Sequence, residues 1–267
     1  WCLGAYTYRL SEAKLHRHPQ FHSAFLEHDR DVLVWTPPGY DAGDDRRYPV
    51  LYMQDGQNLF EPDTAFLKGE HWRVGETATR LIAEGTITPL IIVGVYNTGD
   101  ARLEEYTPTR DTKLGGGLAD EYARMLIDDV KPLIDRTYRT LPEGRHTGIA
   151  GSSLGGLVSL HVALTHPAVF SRVAALSPSV WWDRKVILQT IRQSRSKPPL
   201  RLWVDMGTAE GQRGLDDARL LKAALVGLGF SENTDLRYAE YEGATHSELA
   251  WADRVGPMLE WLFPADA

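Results

Sequence analysis

A chain of 267 residues that is 43% apolar and 24% charged can fill one large core, which excludes a mini-protein, a disordered tail and a collagen or coiled-coil rod. Its 36 acidic and 29 basic side chains leave a net charge of −7, so a polyanion meets net repulsion and no nucleic-acid partner is expected. The longest strongly apolar stretch, PLIIVGV at 89–95, falls far short of the roughly 20 residues that span a bilayer, and no membrane partner is expected.

A single cysteine, Cys2, can form neither an intramolecular disulfide nor a cysteine zinc site. No basic and apolar leader is visible at the amino terminus, which inclines the expectation towards the cytoplasm.

In chain order the apolar periodicity predicts strands at 31–36 and 50–53, a helix at 70–84, a strand at 90–95 and a helix at 119–138. Strand and helix then alternate: strands at 146–150, 172–176, 200–206 and 236–241, with helices at 154–166, 184–193, 214–228 and 247–262. This alternation implies a mainly parallel sheet whose crossover helices cover both faces, a three-layer α/β/α sandwich. The first strands are more amphipathic and are joined through Pro37, Pro38, Gly39 and Tyr40, so an antiparallel edge is expected there. No repeat or Gly/Ser linker divides the chain, and the expectation is one domain over 1–267, with 1–30 joining that edge.

Gly151-Ser152-Ser153-Leu154-Gly155 is a G-x-S-x-G sequence between a predicted strand and a predicted helix, the setting of a nucleophile elbow. Ser153 would sit at its tip, where the helix amino terminus favours a developing oxyanion. The plainer alternative is a glycine-rich turn with a capping serine.

A serine hydroxyl is a weak nucleophile and needs a histidine base oriented by an acid. Three histidines follow Ser153. His161 and His166 lie on the helix leading away from the elbow, which leaves His246, between the last strand and the last helix; the alternative for it is a surface histidine at a helix start. For the acid, Glu210 is expected, because it lies in the loop after strand 200–206 where a carboxylate can reach the histidine's Nδ1; Asp205, at the end of that strand, is the alternative, with Asp216 and Asp217 more remote. The oxyanion donors are expected to be the amide of Leu154 and, from Asp55-Gly56-Gln57-Asn58, that of Gln57, with Gly56 next. That segment also reads as a plain turn closed by Asp55 and Asn58.

Together with the elbow, the segments Ser177-Pro178-Ser179-Val180-Trp181-Trp182, Asp205 to Glu210, Thr245-His246, Tyr52 to Phe60 and Glu105-Tyr106-Thr107-Pro108 resemble the putative-esterase (esterase D-like) family of α/β-hydrolases. The resemblance runs from about Val32 onward. It implies an α/β-hydrolase fold and metal-free serine ester hydrolysis, in a group that includes siderophore trilactone, carbohydrate acetyl and feruloyl esterases and S-formylglutathione hydrolases. The Ser-Pro-Ser-x-Trp-Trp stretch is most similar to the enterobactin-esterase branch. The family's Gly-x-x-acid step maps onto Glu210, where many members have Asp; that departure leaves open a histidine held by Asp205, or a Ser-His dyad.

Around the site, Trp181 and Trp182 are expected to form an aromatic wall for a ring-bearing substrate, unless the pair finishes a core. Phe60, Phe66 and Trp72 would oppose it, and Arg102, Arg110 and Arg73 could contact an acidic or catecholate group. His16, His18 and His22 are spaced like metal ligands but lack carboxylates in a fixed frame, so no metal is expected, nor any cofactor. The resulting expectation is a serine carboxylic ester hydrolase acting on a small-molecule aryl, acyl, siderophore or carbohydrate ester. An acyltransferase and a non-catalytic ligand-binding protein on the same scaffold are the alternatives. The oligomeric state is not readable.

Overall fold

The structure, a computed structural model, describes residues 12–41 and 45–265; Cys2 lies outside them. The polar segment Lys14–Phe21 forms strand β1, and apolar runs bounded by glycine, proline and polar turns become β2 (Arg30–Thr36), β3 (Val50–Gln54), β4 (Ile91–Val95), β5 (Thr147–Ser152), β6 (Arg172–Leu176), β7 (Arg201–Gly207) and β8 (Leu236–Tyr241). They form one eight-stranded sheet in the order β1-β2-β4-β3-β5-β6-β7-β8. β1 and β2, and β2 and β4, pair antiparallel; every pair from β4 to β8 is parallel. The antiparallel edge is present, but not across the Pro37–Tyr40 turn. That turn, closed by Tyr40 N–H donating to the Pro37 carbonyl at 3.0 Å, leads to β3, and β4 lies between β2 and β3.

The helices are α1 (Val74–Glu84), α2 (Arg102–Glu105), α3 (Ala119–Arg124), α4 (Lys131–Thr137), α5 (Leu154–Thr165), α6 (Trp182–Gln193), α7 (Gln212–Leu228) and α8 (Glu248–Leu262). The run expected as one helix over 119–138 is interrupted by a wider π turn at Met125–Val130. Pro132, one residue beyond Lys131, has no N–H to give the preceding turn, which accounts for the altered spacing.

α1 and α8 cover one face of the sheet through Val74, Leu81, Trp251 and Leu259. The other face is covered by α3 to α7 through Tyr122, Ile134, Val158, Ile187 and Leu221. This is the expected three-layer sandwich. Central β3, β4 and β5 are buried at every position, as strands covered on both faces must be. Edge strand β8 is buried only at Leu236. Among the described residues no helix is long and apolar enough to cross a membrane.

The parallel strands β3, β5, β6 and β7 present their carboxyl ends along one rim. The segments carrying Gly56, Ser153, Ser177 and Glu210 all leave from there, which is where α/β sheets assemble sites.

Candidate active site

At the end of β5 the chain turns into α5 through Ser153, whose φ of 58° and ψ of −123° lie where a side chain is strained by roughly 1–3 kcal/mol. Backbone bonds hold the turn: Ser153 N–H donates to the Leu176 carbonyl at 3.0 Å, and the amides of Ser179 and Leu157 donate to the Ser153 carbonyl at 2.9 and 3.1 Å. A Cβ on Gly151 would stand 2.7 Å from the Gly155 carbonyl carbon and 2.8 Å from Gln54 Cγ, so this close strand-helix crossing requires glycine. The Leu154 amide opens α5, where the first N–H groups have no partner within the helix.

His246 follows β8, and Glu210 follows β7 in a short 3₁₀ turn, Thr208–Glu210. His246 Nδ1 lies 2.6 Å from Glu210 Oε2, and the ring packs edge-on against Trp251 with centroids 4.8 Å apart. The imidazole is 47% exposed, whereas the Glu210 side chain is 4% exposed. The other oxygen, Oε1, accepts from Ser177 Oγ at 2.6 Å, Gly207 N–H at 2.8 Å and Arg254 Nη2 at 3.4 Å. Burial works to raise the Glu210 pKa, but the bonds from His246, Ser177 and Gly207 outweigh it, and the carboxyl lies below its usual range.

Asp205 stands apart from the imidazole. Fully buried, it accepts from Arg254 Nη1 at 2.8 Å, Trp203 Nε1 at 2.8 Å and Ser177 N–H at 3.3 Å. Burial pushes its carboxyl up to about 6 against the pull of Arg254 and the Trp203 indole. The alternative in which Asp205 holds the histidine is therefore corrected: burial at the end of the strand committed this carboxylate to Arg254. Asp216 lies within reach of Gln212 and Arg219, and Asp217 pairs with Lys185.

Ser153 and His246 line both lobes of one cleft, of about 570 and 420 Å³. The described hydrogen bond of the Ser153 hydroxyl goes to Ser179 Oγ at 3.4 Å rather than to the imidazole. Nucleophile-base bonds are often long before substrate tightens them. The larger lobe is walled by Trp181, Pro178, Met206, Arg213 and Asp217; the smaller by Asp55, Asn58, Asn97, Arg102, Glu248 and Trp251, with Phe66 at its rim.

The aromatic wall is narrower than expected. Trp181 is 42% exposed and lines the cleft, but Trp182 is fully buried and donates from Nε1 to the Thr109 carbonyl at 3.0 Å. Phe60 is corrected likewise: it lies in the core between the sheet and α1, beneath Gly94 and Gly75. Trp72 is buried against Trp251, and exposed Arg110 is not part of either lobe's lining.

Arg102 grips Asp55 through Nε and Nη2 at 2.7 and 2.8 Å. That pairing holds the Arg102 pKa above its usual value despite burial. Gly56 packs on Gly94, where a Cβ would come within 2.5 Å of backbone. Gln57 turns its side-chain oxygen to the Asn97 amide at 3.2 Å. Sequence reasoning missed Ser177, Ser179, Arg213, Trp251 and Arg254 as parts of this site.

The match to a family model covers residues 23–262, and that model describes "Putative esterase". The chain belongs to this esterase family. The esterase is similar to "Ferri-bacillibactin esterase BesA" of Bacillus subtilis, at 30% identity over 79% of this chain and 76% of the relative. It is also similar to "Uncharacterized protein YbbA" of Bacillus subtilis, at 26% identity over 88% and 93%. Among solved structures, one titled "ferulic acid esterase" superposes with a TM-score of 0.75 at 20% identity, covering 94% of this chain and 98% of the other. That likeness shows the fold, an α/β-hydrolase sandwich. The esterase is a carboxylic ester hydrolase.

Proposed function

We propose that this esterase works through an acyl-enzyme on Ser153. The observation that carries the reading is the 2.6 Å contact between His246 Nδ1 and the buried Glu210 carboxylate, behind a serine in a strained elbow at the junction of two lobes. With Nδ1 donating to Glu210, Nε2 is left as the base.

In the first half-reaction Ser153 Oγ bonds to the acyl carbon while its proton passes to Nε2. The tetrahedral oxyanion takes hydrogen bonds from the amides of Leu154 and Gln57, the latter turn being pressed to the sheet at Gly56. The oxygen-carbon bond to the alcohol breaks, and the alcohol leaves with the proton from Nε2. In the second, water gives its proton to Nε2 and its oxygen to the acyl carbon. The Ser153-acyl bond breaks, the proton returns to Oγ and the acid is released. The 47% exposure of the imidazole leaves it open to water as the acceptor.

The substrate is an aryl or acyl ester of a small molecule, a siderophore or a carbohydrate. Exposed Trp181 offers a ring face in the larger lobe, and Arg102 faces the smaller one, held by Asp55. The relative named a ferri-bacillibactin esterase supports the siderophore class, and the structure titled ferulic acid esterase is consistent with an aryl ester.

The test is turnover of p-nitrophenyl acetate and of a panel of acetyl, feruloyl and trilactone esters by wild type and Ser153→Ala. The variant is expected to lose at least ~10³-fold in kcat on every ester the wild type cleaves. Turnover at the wild-type level would remove Ser153 from the mechanism.

A further inference from the structure

Beneath the Glu210-His246 pair lies an ion pair that the proposed acyl transfer does not use. Arg254 of α8 and Asp205 of β7 are both fully buried, joined at 2.8 Å. A buried pair is expensive to desolvate and is often no more stable than apolar residues of the same volume, so its presence under an active site calls for a role. Arg254 reaches upward twice: Nη1 donates to Ser177 Oγ at 3.0 Å and Nη2 to Glu210 Oε1 at 3.4 Å. Ser177 is itself held in a left-handed conformation, φ 43°. Its hydroxyl accepts from Trp251 Nε1 at 3.1 Å and donates to Glu210 Oε1 at 2.6 Å. Ser177 Oγ, Arg254 Nη2 and the Gly207 amide converge on the carboxylate oxygen that the histidine does not use.

The charges count in the same direction. One guanidinium is shared by two carboxylates, Asp205 and Glu210, so at pH 7 and above, where the raised Asp205 carboxyl is ionised, the cluster has a net charge of −1 and becomes neutral when His246 takes a proton. Were Asp205 uncharged, Arg254 would neutralise Glu210 and the cluster would carry no net negative charge to set against an imidazolium.

We infer that Asp205 and Arg254, acting through Ser177, are positioning residues. They hold the Glu210 carboxylate in line with His246 Nδ1, and Asp205 balances Arg254 so that Glu210 can stabilise the protonated imidazole. This inference rests on the proposed roles of Ser153, His246 and Glu210. Besides this cluster, His246 faces Glu248 two residues along and shares its cleft with Asp55, Asp100, Arg102, Arg213 and Asp217; all are unchanged in the variants below.

The test compares kcat, KM and the pH profile of kcat/KM for wild type, Asp205→Asn and Ser177→Ala on p-nitrophenyl acetate. Serine labelling by a fluorophosphonate and melting temperature are read in parallel. Asp205→Asn is expected to lower kcat ~10-fold with KM within about twofold, and to move the acid limb of the profile down by roughly half a pH unit, because the imidazolium loses a nearby anion. A purely structural role would lower the melting temperature and leave that limb in place. The new amide would turn a donor towards the Trp203 indole, so a variant that does not fold passes the decision to Ser177→Ala, expected at ~10-fold lower kcat with KM retained. A folded Asp205→Asn with the wild-type kcat and limb overturns the inference, as does wild-type kcat in Ser177→Ala when Asp205→Asn does not fold. If the wild type is not labelled at Ser153, the serine reading falls and this inference with it. A labelled wild type with unchanged variants refutes this inference alone.

Discussion

Glu210 Oε2 and His246 Nδ1 meet at 2.6 Å although one follows β7 and the other β8. The parallel pairing of those two strands, in register from Leu202 opposite Leu236 to Gly207 opposite Tyr241, brings the two following loops to the same rim. The Ala209 amide then donates to the Ala244 carbonyl at 3.1 Å and ties the loops together. Replacing Glu210 by Gln keeps the shape and removes the charge that stabilises the imidazolium. A fall of ~10³-fold in kcat with KM within a few-fold is expected in steady-state ester hydrolysis.

The two adjacent tryptophans separate binding from stability. Trp181→Ala removes an exposed ring from the larger lobe and is expected to raise KM several-fold for aryl esters while leaving the melting temperature within a degree or two, since surface changes cost about 0.5 kcal/mol or less. Trp182→Ala empties a fully buried site and should cost about 3–5 kcal/mol. Urea denaturation of the two variants, set beside KM for feruloyl and acetyl esters, checks the division.

Gly56→Ala tests the turn proposed to supply an oxyanion donor. Its Cβ would meet the Gly94 carbonyl carbon at 2.5 Å and the Val95 nitrogen at 2.8 Å, and backbone on a central strand cannot move aside cheaply. The turn is displaced instead, with a loss of about 2 kcal/mol or more in stability. Oxyanion contacts act in the transition state, so kcat is expected to fall ~10²-fold with less change in KM. Urea midpoints and kcat measured together check both parts.

The pH dependence of stability has a defined contribution from β8. Glu240 accepts two bonds at 2.8 Å from Arg219 of α7, and its carboxyl is lowered from the usual 4.5 to about 2, chiefly by that guanidinium. A lowered carboxyl contributes stability that is complete above about pH 5 and is lost as pH falls from 4.5 towards 2. The pair is partly open to solvent, so screening reduces the effect to about 1 kcal/mol. Glu240→Gln should be less stable than wild type by about that amount at pH 7, with the difference shrinking as pH falls from 4.5 towards 2, by urea midpoints.

Seven strands were legible as short apolar runs because helices cover both faces of most of the sheet. β1, KLHRHPQF, was not: it has one neighbour, and its polar alternation reads as a loop. Short α2 carries too few residues for a period. The elbow and His246 were readable because glycines, strand and helix bracket them. Glu210 was the favoured acid because a loop carboxylate can reach the histidine, but Asp205 stayed open beside it, since the burial that commits Asp205 to Arg254 exists only in three dimensions. Trp181 and Trp182 are one residue type at adjacent positions, and their opposite fates depend on the loop reaching Thr109. Arg254 belongs to no motif, but Trp251 and Met258, three before and four after it, are buried. That spacing places position 254 on the inward face, a signal that the helical period already contained.

The most direct test of Ser153 as nucleophile is covalent labelling with a fluorophosphonate, followed by peptide mass mapping of wild type, Ser153→Ala and His246→Ala. One adduct on Ser153 is expected in the wild type, none in Ser153→Ala, and labelling slowed by at least ~10²-fold in His246→Ala. An unlabelled wild type, an adduct on another residue, or labelling of Ser153→Ala at the wild-type rate would contradict it.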